Sequence, residues 1–203
     1  RMDENGKYYP GRLLDVEGCK YFFDKLCAEA GVKVLFHSRV CCAEHTQGHI
    51  DSIMLCTECG NFCLDAKVYI DATGNGSVAD MVGCQWECGD PDGGRPSPVS
   101  MGVSVTGLPA DYNGTDTGDE KTAYADKLSA YGIHVSAQQA TVVKTPAGKV
   151  WGMGFAMAYG VMPDDIESLS HAIYTTRKEA FEVVAAHKQI PGFENVQLIR
   201  TNS

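Results

Sequence analysis

The chain has 203 residues, 44% hydrophobic and 21% charged, a balance that can bury a sizeable core and is too apolar for a disordered chain. It carries 17 Lys and Arg against 26 Asp and Glu, a net charge of −9, with no basic run or stripe, which argues against a nucleic-acid binder. No apolar run is long enough to cross a bilayer, so the expectation is a soluble protein with no membrane partner; a cytoplasmic location is the expectation that goes with reduced cysteines. Nine cysteines is an odd count. Free thiols in a reducing compartment are the simplest reading.

In chain order, Asp15 can cap a helix over 16–30 that stops at Gly31. Cys19, Phe22, Phe23, Leu26, Cys27 and Ala30 recur at helical spacing and predict one buried face. The run "VKVLF" (32–36) reads as a buried strand. Three strands follow at 39–45, 49–58 and 61–72, a meander whose last member ends in a continuous apolar run, as if entering a parallel sheet. A short helix over 77–82 stops at Gly83. The Pro/Gly/Asp-rich stretch 89–98 marks a domain boundary. Beyond it the pattern predicts a strand over 99–107 and a helix over 119–132. A hairpin over 140–160 turns at 146–148. A long helix runs from Pro163 to near Lys188, with Ile166, Leu169, Ile173, Thr176, Ala180, Val183 and His187 along one side.

Two motifs carry chemical suggestions. In "CTECGNFC" (56–63), Cys56-x-x-Cys59 has the spacing of half a zinc site, with His45 and His49 just upstream. The competing reading is a hairpin turning at Cys59-Gly60, which pairs Cys56 with Cys63, Leu55 with Leu64 and Ile53 with Ala66. Alternation is clean in that register, no second Cys-x-x-Cys exists, and the two cysteines are expected as free thiols without a metal. The second motif is "VYIDATGNGSVAD" (68–80). Its Gly74-x-Gly76-x-x-Ala79 spacing approaches the dinucleotide fingerprint. An acidic residue ending a strand about 20 residues on should accompany a first phosphate loop, and here that interval is a loop. His134, Arg95 and His171 are the polar candidates of the second half, each with an ordinary surface role as the alternative, and no catalytic residue is assigned.

The order of these pieces resembles the FAD-dependent oxidoreductases built like glutathione reductase. The matching stretches are "GVKVLFHSRV", the meander, and the return strand "AKVYIDATGNGSVADMVG". Further on, "PSPVSMGVSVTGLPAD" and "TTRKEAFEVVAAHKQIPGFENVQLI" are similar to that family's substrate domain. The resemblance implies a mixed α/β (α+β) chain. Residues 1–90 would be part of an FAD-binding, Rossmann-like domain with a β-meander, and 91–203 part of a substrate domain with antiparallel strands and a long helix. It implies FAD as cofactor and flavin-mediated hydride or electron transfer on a small-molecule substrate. It places the Val40 backbone beside the adenine and Ala72, Thr73 and Gly74 beside the diphosphate, with Asp71 bracing the turn. Asn75 and Ser77 stand where the family has acidic residues, and the N-terminal Gly-x-Gly-x-x-Gly loop is missing. The reading is therefore an internal fragment, inactive by itself. The alternative is a non-enzymatic Cys-rich metal-binding or interaction module.

Overall fold

The computed structural model describes residues 15–87, 89–90, 94, 96–145, 149–162 and 164–202. The predicted turn at 146–148, Pro163, Cys88 and Arg95 lie outside them. The chain divides into two compact units, Phe22–Gly89 and the part from Asp90 onward, which also takes in the start of the first helix.

That helix, α1 (Val16–Glu29), begins where Asp15 accepts the Gly18 N–H at 3.2 Å and ends before Gly31 at φ 70°. Its apolar face is not buried as predicted. No α1 residue is buried, and Phe22 and Phe23 are 53% and 61% exposed. Amphipathic spacing sets which side of a helix is apolar, but burial needs an element packed on that side. The expected strand at 32–36 likewise forms no ladder, because no described strand lies beside it.

Unit Phe22–Gly89 is built on the expected meander. Strands β1 (Ser38–Thr46), β2 (His49–Thr57) and β3 (Gly60–Leu64) pair antiparallel in that order. Gln47 and Gly48, at φ 50° and 81°, join β1 to β2 in a two-residue turn whose twist suits a hairpin. The β2–β3 register differs from the predicted one. The turn is Glu58-Cys59, closed by the Thr57 hydroxyl, which donates to the Gly60 carbonyl (2.8 Å) and accepts the Cys59 N–H (3.1 Å). Cys56 therefore pairs with Asn61 and Cys63 with Met54. A slip of two residues keeps every side chain on its predicted face, so Phe62 and Leu64 still share a face with Leu55 and Ile53. Strand β3 also stops earlier than predicted. The Tyr69 hydroxyl accepts the Ala66 N–H at 2.9 Å and lies 3.2 Å from the Asp51 carbonyl and 3.3 Å from that of Leu64, standing in for the next ladder bonds. Val68 and Ile70, the predicted buried run, are exposed. Helix α2 (Ser77–Met81) packs against β1.

The second unit holds the main core. Its sheet has the order β5-β6-β4-β7, all antiparallel: β4 (Val99–Thr106), β5 (Thr141–Lys144), β6 (Trp151–Ala158) and β7 (Gln197–Thr201). Alternation along β4 buries Met101, Val103 and Val105. Helix α3 (Gly118–Ala130) packs on β5, and α4 (Ile166–His187) lies across β4, β6 and β7. Phe155, Leu128 and Ile190 are fully enclosed between them. Helix α4 starts three residues later than predicted, where Asp165 accepts the N–H groups of Glu167 and Ser168. Its buried side is Ala172, Thr176, Ala180, Val183, Val184 and His187, whereas Ile166, in the first turn, is 72% exposed. The architecture is α+β: two antiparallel sheets and four helices among the described residues.

Candidate functional site

The turn between Asp71 and α2 is organised by one carboxylate. Asp71 Oδ1 accepts the Thr73 N–H (2.9 Å) and hydroxyl (2.7 Å), and Oδ2 accepts the N–H groups of Val78 (2.9 Å) and Ala79 (3.0 Å). The Thr73 hydroxyl oxygen in turn accepts the Ser77 N–H at 2.7 Å. Three N–H groups at the start of a five-residue helix are thus satisfied within the chain. Hydrogen bonds to its charged form, from Ala79 first and then Thr73, hold the Asp71 carboxyl down to about 2. An external phosphate cannot take the N–H groups that Asp71 already occupies. What remains for a ligand is the backbone ahead of the helix, at Ala72, Thr73 and Gly74, all exposed.

The two glycines of the motif have different reasons to be there. Gly76 sits at φ 65°, ψ 38°, the left-handed conformation that side chains avoid. Gly74 has no positive φ, and a Cβ built on it meets nothing within 4 Å. The fold itself does not need glycine at position 74; a group outside this chain passing close to the backbone would.

Val40 lies on β1, the edge strand of the meander, paired with Leu55. An edge strand offers backbone N–H and C=O groups outward. Helix α2 packs against this same strand, so one small unit carries both Val40 and the turn that leads into α2.

The cysteines depart from the sequence reading. Cys41 and Cys56 form a disulfide, so Cys56 is not a free thiol facing Cys63. Neighbouring residues of a regular strand point to opposite faces, so "VCC" gave no hint of this pairing. A bulge between Val40 and Cys42 makes Cys41 an extra residue in β1 and lets it reach β2. Cys42, Cys59 and Cys63 are free and exposed. Among the described residues no cluster of three His, Cys, Asp or Glu side chains is placed to hold a metal ion.

The polar candidates of the second unit are not gathered. His134 is exposed between α3 and β5, and His171 is exposed on α4. His187 is fully buried. Its Nδ1 donates to the Val183 carbonyl at 2.7 Å, which leaves Nε2 to accept the Tyr124 hydroxyl at 2.6 Å. Burial, with a smaller push from Lys127, lowers its pKa. This pair fastens α3 to α4 inside the core.

Among the described residues no helix is long and apolar enough to cross a membrane. The chain matches no curated protein and no solved structure. The sequence profile of the FAD dependent oxidoreductases, by contrast, matches residues 2–203. Its span takes in the meander, the Asp71-braced turn and the whole second unit, and the chain therefore belongs to the FAD dependent oxidoreductase family of FAD-binding enzymes.

Proposed function

We propose that residues 1–90 hold the adenosine diphosphate portion of FAD and that residues 91–203 form part of the substrate side of the enzyme. In this reading the edge backbone at Val40 pairs with the adenine, and the backbone of Ala72, Thr73 and Gly74 runs along the diphosphate. Asp71 is a positioning residue: it fixes the turn through four hydrogen bonds, directing its charge to three backbone N–H groups and the Thr73 hydroxyl rather than to the phosphates. FAD supplies the hydride or electron transfer to a small-molecule substrate. The chain binds and orients the cofactor.

Gly74 carries this reading, because neither its backbone conformation nor its intrachain surroundings require glycine. The test compares Gly74→Val with Gly76→Val in the intact enzyme, measuring flavin content and apo-protein melting. Gly74→Val should keep apo stability within about 0.5 kcal/mol, as surface changes do, and lose most of its flavin. Gly76→Val should destabilise apo and holo protein alike by about 1–2 kcal/mol through its left-handed backbone. Full flavin occupancy in Gly74→Val would refute the placement.

A further inference from the structure

We propose that the Cys41–Cys56 disulfide is a redox-modification site for small thiols, and that its state sets how tightly the chain grips FAD; the second half rests on the dinucleotide reading given above. Val40 pairs with Leu55 and Cys42 with Met54, so Cys41 has no ladder partner of its own. Its bond to Cys56 is what ties this extra residue to β2. One peptide away is Val40, on the free edge of the sheet. With the tie cut, the edge at Val40 is held less firmly, and binding the adenine must order it again, which weakens affinity.

The surroundings suit exchange. Cys41 is exposed and Cys56 half-buried, so a small thiolate reaches the Cys41 sulfur first. Arg39 is the cross-strand partner of Cys56. Its positive charge on that side favours departure of Cys56 as thiolate. In the first step the incoming sulfur bonds to Cys41, the Cys41–Cys56 bond breaks, and the electron pair leaves on Cys56, which takes a proton. A second small thiol then attacks the sulfur of the first. A small-molecule disulfide leaves, and the pair and a proton pass to Cys41. The protein gains two electrons and two protons, and two thiols become one disulfide; a small disulfide reverses both steps. The freed Cys41 thiol has an acceptor in reach, the Met54 carbonyl 3.5 Å away, so reduction leaves no stranded donor.

The test uses the full-length enzyme equilibrated with reduced or oxidised glutathione. Cysteines are counted by alkylation and mass, and FAD affinity is read from flavin fluorescence. Reduction should expose two further cysteines and weaken FAD binding about tenfold, within the usual span of coupling between sites. Cys41→Ser and Cys56→Ser should stay at the weaker affinity under both conditions, and Cys63→Ser should respond like the parent. An unchanged cysteine count overturns the site. A count that rises by two with FAD affinity unmoved, in a protein whose Gly74→Val variant loses flavin, overturns the coupling alone. Flavin retained by Gly74→Val overturns the dinucleotide reading instead.

Discussion

Asp71 shows how one carboxylate can organise a whole turn. Its carboxylate takes the N–H groups that begin α2 and leaves the preceding backbone presented outward. Asp71→Asn replaces one acceptor oxygen by a donor aimed at N–H groups, so flavin content should fall and apo melting should drop; unchanged values for both would show that the turn holds without the charge. The pH dependence follows from the depressed carboxyl. Below its ordinary value of 3.8 the unfolded chain takes up the proton while the folded one resists until about 2, so this stabilisation is present above pH 4 and lost as pH falls towards 2. His187 has the same sign at higher pH. Its folded pKa lies below the ordinary 6.5, so the unfolded chain binds the proton first and stability declines as pH drops under 6.5. Urea titrations at pH 7.5 and 5.5 should show that decline in the parent and lose most of it in a Tyr124→Phe/His187→Leu double variant. At pH 7.5 the single Tyr124→Phe change strands the buried Nε2 and should cost about 1–3 kcal/mol.

At the scale of elements, side chains fix the starts of α3 and α4, and hydroxyls close the two ends of β3. Thr117 and Glu120 close a capping box on α3: Glu120 Oε2 accepts the Thr117 N–H at 2.8 Å, and Thr117 Oγ1 accepts the Glu120 N–H at 3.3 Å. Thr117→Ala should cost about 1 kcal/mol in thermal or urea unfolding, and recovery by Thr117→Ser would assign that loss to the cap. Ser136 joins other elements. Its hydroxyl meets Glu179 of α4 at 2.8 Å and accepts the Met157 N–H of β6 at 2.6 Å, holding the loop before β5 to both.

Across the whole molecule, burial is uneven. The second unit encloses Met101, Val103, Val105, Leu128, Trp151 and Phe155, whereas Leu55 and Val78 are the buried apolar side chains described in Phe22–Gly89. Amide exchange tracks the free energy of local opening. The amides of β4, β6 and α4 should therefore exchange orders of magnitude more slowly than those of β1–β3, and equal protection in a hydrogen-exchange experiment would contradict this account. In the same core, Phe155→Ala should cost about 3–5 kcal/mol.

The sequence by itself determined the order of the helices and strands that form and which side of each strand and helix is apolar. Helical spacing located α1 and α4, alternation fixed the faces of β3, local pattern and turn residues located α3, the other meander strands and β4 to β6, and glycines marked the stops at Gly31, Gly83 and Gly132, all three at positive φ. These features are local, set by backbone sterics and by side-chain period. Phe62 and Leu64 kept their predicted face even though the register moved by two, because the strand period is two. Tertiary structure decided what local pattern leaves open. It decided that the apolar face of α1 and the side chains of Val68 and Ile70 stay exposed, since burial depends on a partner element. It decided that Tyr69 ends β3, through bonds reaching back to Asp51. It joined Cys41 to Cys56 through a bulge, which alternation cannot foresee. It also separated the roles of Gly74 and Gly76, because φ and the space around a missing Cβ exist only once the chain has folded.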